Sequence, residues 1–301
     1  MRANPGLARF FMPITRTSPC KVNLVLNILG RRQDGFHDLE TLFFPVPLHD
    51  ELSFERGGDG IRLTCSHPEL PVDGSNLVMR AALRWVEAAG VREGVGIHLE
   101  KRLPLAAGLG AGSANAAVTL LGLNEVFGAP LSPDRLDEIA AGLGSDVNFF
   151  LQPHPALATG RGERIQPLGR FGVLSGTALF LFHPGFGVPT PWAFRELADF
   201  PECRDGQRGR AAAVADALGR GDLPAAVSGF YNGLEAPVLR KYPILALHQE
   251  FLRNHGAMAT LMSGSGSTTF ALFRDLGLAE SVVPAFRAEF GTAGWLATVS
   301  L

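Results

Sequence analysis

Hydrophobic positions switch between two periods along the chain, and the switches predict its elements. Lys21–Leu29 (KVNLVLNIL) is a nearly unbroken apolar run of strand length that stops at the turn-forming residues Gly30–Gly35. Glu51–Glu55 and Gly60–Thr64 read as a strand pair across Gly57-Gly58-Asp59-Gly60. Asn76–Ala89 has helical spacing and stops at Gly90, a residue that tolerates the left-handed conformation ending many helices. Gly96–Lys101 is a further strand, and a glycine-rich loop then leads into an apolar helix, Ser113–Phe127. A second helix runs Ser132–Leu143 with Pro133 in its first turn. The second half predicts a strand at Ala178–His183 and helices near Pro191–Ala198, Arg210–Leu218 and Pro243–His255. Strand, loop and strand follow over Ala257–Phe273, then a helix at Leu278–Phe290 and a last strand at Trp295–Leu301. The charged segment Asp199–Arg210, with its Gly and Pro, reads as a surface loop. Gly and Pro punctuation over Gly160–Arg170 marks a boundary, so two α+β domains are expected, 1–165 and 166–301, with a cleft between them.

Composition narrows the class. With 46% hydrophobic and 19% charged residues in 301, the chain can bury a substantial core and is not a disordered protein. A net charge of −2, from 27 basic and 29 acidic residues, gives no general attraction to nucleic acid or anionic membrane. No apolar run reaches the roughly 18 residues of a membrane span, and the N-terminus lacks a signal-peptide core. Met12 is an alternative start, since the patterned sequence begins after it. Cys20, Cys65 and Cys203 are odd in number and far apart, which indicates neither a disulfide framework nor a zinc site. A soluble enzyme of the reducing cytoplasm is expected. Only Lys21, Lys101 and Lys241 among the 27 basic residues are lysines, so each is a mild candidate for a role arginine cannot fill.

The loop from Leu103 to Asn115 follows a strand and opens a helix, with glycines at 108, 110 and 112. Such glycines let backbone N–H groups converge on an anion, and a helix N-terminus adds a favourable dipole. Ser113 reads as the cap of that helix, or as a hydroxyl on a phosphate or its Mg²⁺. The helix itself is apolar almost all round and therefore buried. Three phosphate loops fail here. A Walker A loop needs a Gly-Lys pair, which the chain lacks. A dinucleotide fingerprint needs Gly or Ala where Ser113 stands and a better βαβ context. The His-Arg-Asp and Asp-Phe-Gly signatures of protein kinases are missing.

What remains, Pro104-x-x-x-Gly108-Leu109-Gly110-x-Gly112-Ser113-x-Asn115, resembles the nucleotide loop of the GHMP superfamily of small-molecule kinases. Two further stretches stand in the family's order. Ser18–Leu24 (SPCKVNL) resembles its Pro-Ala-Lys-x-Asn-Leu, and Met262–Phe270 (MSGSGSTTF) its second glycine-rich loop. Gly30–Leu39 (GRRQDGFHDL), Leu143–Phe150 (LGSDVNFF), Ala158–Glu163 and His183–Pro191 narrow the likeness to the branch whose acceptor carries a cytidine diphosphate. The resemblance runs from about Ser18 to Phe273.

That resemblance implies an α+β, two-domain GHMP kinase fold. Its N-terminal domain would be ribosomal S5 domain 2-like and its C-terminal domain ferredoxin-like, with the active site between them. It implies ATP and Mg²⁺, and phosphorylation of the 2-hydroxyl of 4-diphosphocytidyl-2-C-methyl-D-erythritol, a step of the non-mevalonate isoprenoid pathway. The partner would be that small molecule alone, with no nucleic acid or membrane, and the protein a monomer or weak homodimer. Asp146 would be the general base, with a helix N-cap as its structural alternative, and Lys21 would hold it ionised. Pro104, Leu105, Ala106, Ala107, Gly108, Leu109, Gly110, Ala111, Gly112, Ser113 and Ala114 would surround ATP. Asn76 and Lys101 would border its adenine, though they read equally as a cap and a surface charge. Asn23, Asn115 and Thr190 would face the acceptor; Phe36, His37 and Phe194 would form its base pocket, the base lying between rings. No dedicated metal ligand is expected. Phe36 for the commoner Tyr, Cys20 for Ala, Ala111 for Gly, Ala114 for Ser and Asn148 for Pro depart from the pattern. Ala114 would remove a phosphate or metal contact and Asn148 would disturb the neighbouring base. A homoserine- or mevalonate-type kinase has no base to stack, and a silent nucleotide-binding module would not need Lys21 and Asp146.

Overall fold

The computed structural model describes residues 13–301, so the alternative start at Met12 lies outside the described residues. The strands are β1 (Ile14–Arg31), β2 (His37–Arg56), β3 (Ile61–Cys65), β4 (Val95–Glu100), β5 (Ala156–Gly160), β6 (Arg164–Pro167), β7 (Ala178–His183), β8 (Tyr231–Asn232), β9 (Ala259–Met262), β10 (Thr269–Phe273) and β11 (Trp295–Ser300). The helices are α1 (Leu77–Ala89), α2 (Ala111–Val126), α3 (Pro133–Leu143), α4 (Thr190–Glu196), α5 (Pro201–Arg204), α6 (Arg210–Gly219), α7 (Leu223–Ser228), α8 (Glu235–Lys241), α9 (Ile244–Asn254) and α10 (Leu276–Phe290). One sheet has the order β3-β4-β2-β1-β8, with β5 and β6 continuing from β2; the other is β11-β7-β10-β9.

Strand β1 alternates buried and open positions at its start and is then buried continuously to Ile28, because both faces of its central part are covered. β2 is four times longer than the Glu51–Glu55 stretch legible in the sequence. Its register against β1 shifts between Pro19↔His49 and Cys20↔Val46, so Pro47, which has no N–H to donate, falls in the irregularity. The expected pairing of β2 with β3 does not occur. β4 lies between them, antiparallel to β2 and parallel to β3. The glycine turn is a wide loop that admits the start of β4: Gly57 N–H donates to Gly94 O at 2.8 Å and Val95 N–H to Gly60 O at 2.9 Å. A Cβ on Gly94 would stand 2.4 Å from Gly58 O, so only glycine passes there.

The Asn76 side chain accepts from Val78 N–H to cap α1, and Gly90 at φ 63° closes it. α2 is buried all round, as its composition predicts, but it begins at Ala111 with Gly110 at φ 69° as its cap and no capping side chain. Ser113 therefore sits inside the first turn and is not the cap. Ala114 is fully buried among the core residues of α1, α2 and β2, which answers the expected phosphate contact: that position faces the core. Segment 199–210 is not a free loop either. It contains α5, and Gly206 N–H donates to Ile28 O at 2.8 Å while Glu40 accepts from Gly209 N–H at 2.9 Å.

Four regions of apolar packing follow. One lies between the first sheet and α1–α3, and one covers β7 and β10 with α9 and α10. One joins the sheets through Val22, Leu42, Leu181 and Phe270, and one packs Leu26 and Leu39 with Ala193 of α4, Val238 of α8 and Met262. No helix among the described residues is long and apolar enough to cross a membrane.

The close seat of α2 on β2 is testable. A Cβ on Gly122 would lie 2.3 Å from the ring of Phe54, a fully buried side chain. Alanine is the better helix former by about 1 kcal/mol, yet overpacking here should outweigh it. Gly122→Ala is expected to lower stability by roughly 1–3 kcal/mol in urea unfolding. An unchanged midpoint would mean that the ring has room to move.

Candidate active site

A cavity of about 1290 Å³ lies where the two sheets face each other, bounded by the 104–113 loop, β1, the start of β2 and α4. All the residues expected to serve catalysis, ATP or the acceptor line it, Ala114 excepted, whereas Lys241, the third lysine, does not.

The two glycine loops interlock on one of its walls. Gly108, at φ 77°, approaches the loop between β9 and β10 so closely that a Cβ would stand 2.1 Å from Ser263 O. Ser263 Oγ donates to Gly108 O at 2.9 Å, and Thr268 N–H donates to Ala107 O at 3.3 Å. Thr190 at the start of α4 reaches the same loop through its hydroxyl, 2.8 Å from Ser265 Oγ.

Lys21 stands against both loops. Its Nζ donates to Asn23 Oδ1 at 2.6 Å and to Gly108 O at 3.2 Å, and lies 3.6 Å from Asp146 Oδ2. Asn23 in turn donates to Thr41 Oγ1 at 2.8 Å. Burial pulls the Lys21 pKa below its ordinary value, and the Asp146 carboxylate opposes that pull. Asp146 keeps one-third of its side chain exposed to the cavity, and it caps no helix: the short helical turn after it starts from Val147 without a side-chain cap. The expected disturbance by Asn148 does not arise, since its Nδ2 is directed to Asp137 O at 2.9 Å and Oδ1 at 2.6 Å.

Asp50, on β2, carries no signal in the sequence, where it is one of five acidic residues of that strand. It is fully buried and binds Lys101 Nζ at 2.5 Å, Arg102 N–H at 2.8 Å, Leu103 N–H at 2.9 Å and Asn115 Nδ2 at 3.1 Å. Lys101 is thus no surface charge. Asn115 is held from its other side by Ser18 Oγ at 2.6 Å. Both residues touch the cavity with their polar groups already engaged.

At the far end the rings of His37 and Phe194 stack on each other at 5.1 Å, so the base cannot lie between those two. Phe36 is 52% exposed, with the Arg161 guanidinium 4.8 Å from its ring centre. Arg31, Arg195 and Arg204 also line this end, another feature that no sequence motif marked. Burial, then Arg31 and Arg204, hold the His37 imidazole below its ordinary pKa.

Known proteins resemble this chain along most of its length. The family described as GHMP kinases N terminal domain matches residues 76–152, and GHMP kinases C terminal matches residues 208–292. A 4-diphosphocytidyl-2-C-methyl-D-erythritol kinase of Pelotomaculum thermopropionicum is 40% identical over 277 residues, covering 92% of this chain and 94% of its own. One of Deinococcus radiodurans is 39% identical over 288 residues, covering 94% and 91%. The crystal structure of a 4-(cytidine 5'-diphospho)-2C-methyl-D-erythritol kinase matches with TM-score 0.79 at 37% identity, over 96% of this chain and 100% of the other. A homoserine kinase of Cytophaga hutchinsonii matches with TM-score 0.74 at 19% identity, a likeness of fold alone.

Two outcomes follow from the charges. Lys101→Met leaves Asp50 buried without its counter-charge and is expected to lower stability by roughly 3–5 kcal/mol in denaturant unfolding. Adding Asp50→Asn should recover part of that loss, and an additive double variant would deny the coupling. A histidine with a depressed folded pKa stabilises the fold above its unfolded pKa and loses that contribution as pH falls. His37 should therefore titrate below the ordinary imidazole value of about 6.5 in an NMR pH series, and a midpoint at or above it would refute its burial beside the arginines.

Proposed function

The chain belongs to the 4-diphosphocytidyl-2-C-methyl-D-erythritol kinase family of the GHMP kinases, and on that premise we propose that this ATP-dependent kinase phosphorylates the 2-hydroxyl of 4-diphosphocytidyl-2-C-methyl-D-erythritol. The observation that carries the reading is the Lys21–Asp146 pair, 3.6 Å apart, between a phosphate-cradling loop and an aromatic pocket.

Asp146 takes the proton of the acceptor hydroxyl as that oxygen bonds to the γ-phosphorus. The bond from the γ-phosphorus to the β–γ bridging oxygen breaks, and ADP leaves. Lys21 pairs with the Asp146 carboxylate and offsets charge on the group in transfer; Asn23 and the Gly108 carbonyl fix the direction of its ammonium. Backbone N–H groups of the 104–113 loop and the N-terminus of α2 hold the triphosphate. Asn76 and the neighbouring Leu70 and Leu77 border the adenine, and Lys101 and Asn115 act there by fixing the loop through Asp50.

Phe36, neutral His37 and Phe194 receive the cytosine on their open faces, stacking being worth about 1–3 kcal/mol per base. Hydrogen bonding by His37 selects the base, while Arg31, Arg161 and Arg204 offset the diphosphate. Thr190 faces the acceptor beside Ser265. Mg²⁺ would arrive on the triphosphate and need few protein oxygens. Ser113 and Asp146 are the residues that would hold it, and when bound it neutralises phosphate charge. Residues 1–165 and 166–301 supply the nucleotide-binding and covering halves. The reading keeps the protein a monomer or weak homodimer, and the three free cysteines suit the cytoplasm.

ADP release coupled to a spectrophotometric assay, with Mg-ATP and the cytidine-bearing acceptor, tests the reading. Turnover is expected, reduced about 10²- to 10⁴-fold in Asp146→Asn and absent with methylerythritol lacking the cytidine diphosphate. Folded protein that binds ATP but leaves the acceptor untouched would sink the assignment.

A further inference from the structure

The second glycine loop lines the cavity from one sheet, while Lys21 and Asn23 stand on a strand of the other. Something must hold the two in register, because a shift of about 1 Å at a reacting centre can lower a rate a hundredfold. The two-residue strand β8 occupies the place where this can happen. It is the single segment from beyond β7 that enters the first sheet, pairing in parallel with β1 at Val25↔Tyr231 and Leu26↔Asn232. Gly233 N–H extends the pairing to Leu26 O at 2.9 Å.

Asn232 is buried, and its amide is fully used. Nδ2 donates to Met262 O at 2.7 Å and to Gly264 O at 2.8 Å, and Oδ1 accepts from Leu234 N–H at 2.9 Å. Three residues on, the carboxyl of Glu235 accepts from Met262 N–H at 2.7 Å, and from Gln249 Nε2 at 2.6 Å. Met262 is therefore gripped on both sides of its backbone, and Gly264 on one. The second loop begins there. Gly264 is the glycine whose added Cβ would lie 3.4 Å from Lys21 Nζ and 3.0 Å from Gly108 O.

We propose that Asn232 and Glu235 form a clasp that positions the second glycine loop against Lys21, so that they are positioning residues for phosphoryl transfer. Neither touches the reacting atoms; they act through Met262 and Gly264. The loop meets the cavity beside Lys21, and its Ser265 touches Thr190 at the start of α4, so loosening it disturbs the transfer step more than the stacking of either base. Burial pushes the Glu235 carboxyl up to about 7, with the Met262 amide, Gln249 and Arg253 opposing. The proton is thus easily held near neutrality, and a glutamine, which keeps the accepting oxygen, imitates the side chain closely.

The inference rests on the kinase reading above, and the test separates the two. In Asn232→Ala, kcat is expected to fall ten- to a hundredfold while KM for ATP and for the acceptor each move less than threefold. Glu235→Ala should lower kcat in the same way, and Glu235→Gln should restore at least half of the wild-type value. Wild-type kcat per folded molecule in Asn232→Ala, with a lower Tm only, would make the contact merely structural and overturn the proposal. A rise in KM without loss of kcat would overturn it as well. Should Asn232→Ala not fold, the Glu235→Ala and Glu235→Gln pair decides by the same ratio. Hydrogen exchange on substrate-free protein decides the clasp even without acceptor turnover. At least tenfold faster exchange over 263–267 in Asn232→Ala or Glu235→Ala, with β10 unchanged, supports it; equal exchange refutes it.

Discussion

The catalytic end of this molecule depends on one buried carboxylate. Asp50 gathers the Lys101 ammonium, two consecutive backbone N–H groups and the Asn115 amide. Through them it ties β2 to the start of the first glycine loop and to the first turns of α2. A fully desolvated charge is tolerable only when paired and hydrogen-bonded on all sides, and that demand makes the arrangement stiff. The loop can offer converging N–H groups to a phosphate because its root cannot drift. Ser18 completes the arrangement from β1, so the strand that carries Lys21 is part of the same hydrogen-bonded frame.

On this frame the two glycine loops lean on each other, backbone against backbone, with distances that no side chain would permit. Lys21 is packed into that contact. Its burial favours the neutral amine and Asp146 favours the ammonium, so the charge on the lysine depends on the carboxylate it serves. The partial exposure of Asp146 is the counterpart: of the two charges, the carboxylate reaches the cavity while the ammonium is packed behind it.

The readable part of this structure was the local part. The helical spacing from Asn76, the terminating Gly90, Pro133 in the first turn of α3 and the all-round apolarity of α2 are statements about one helix each, and they predicted those elements closely, save that α2 starts at Ala111 and is not capped by Ser113. The three motif stretches were legible because phosphate chemistry restricts residue type at fixed spacing. What escaped was set by distant neighbours. β4 separates β2 from β3 because Gly94 can pass a loop some 35 positions upstream, which no window around residue 57 reveals. Asp50, Asn232 and Glu235 look like ordinary polar residues in sequence, and only the fold shows which backbone groups they meet. The stacking of His37 on Phe194 likewise joins residues far apart in the chain, so a pocket of three rings was foreseeable but not which rings touch.

The sheets share apolar packing through Val22, Leu42, Leu181 and Phe270, and β8 is stitched into the first sheet from the second half of the chain. Opening the cleft like a book would tear a strand from its ladder and wet a common interior. Traffic of ligands must instead use small local excursions of side chains such as Phe36 and Arg161 at the rim. The enzyme breathes at its mouth, not at a hinge, and its two halves are expected to melt together.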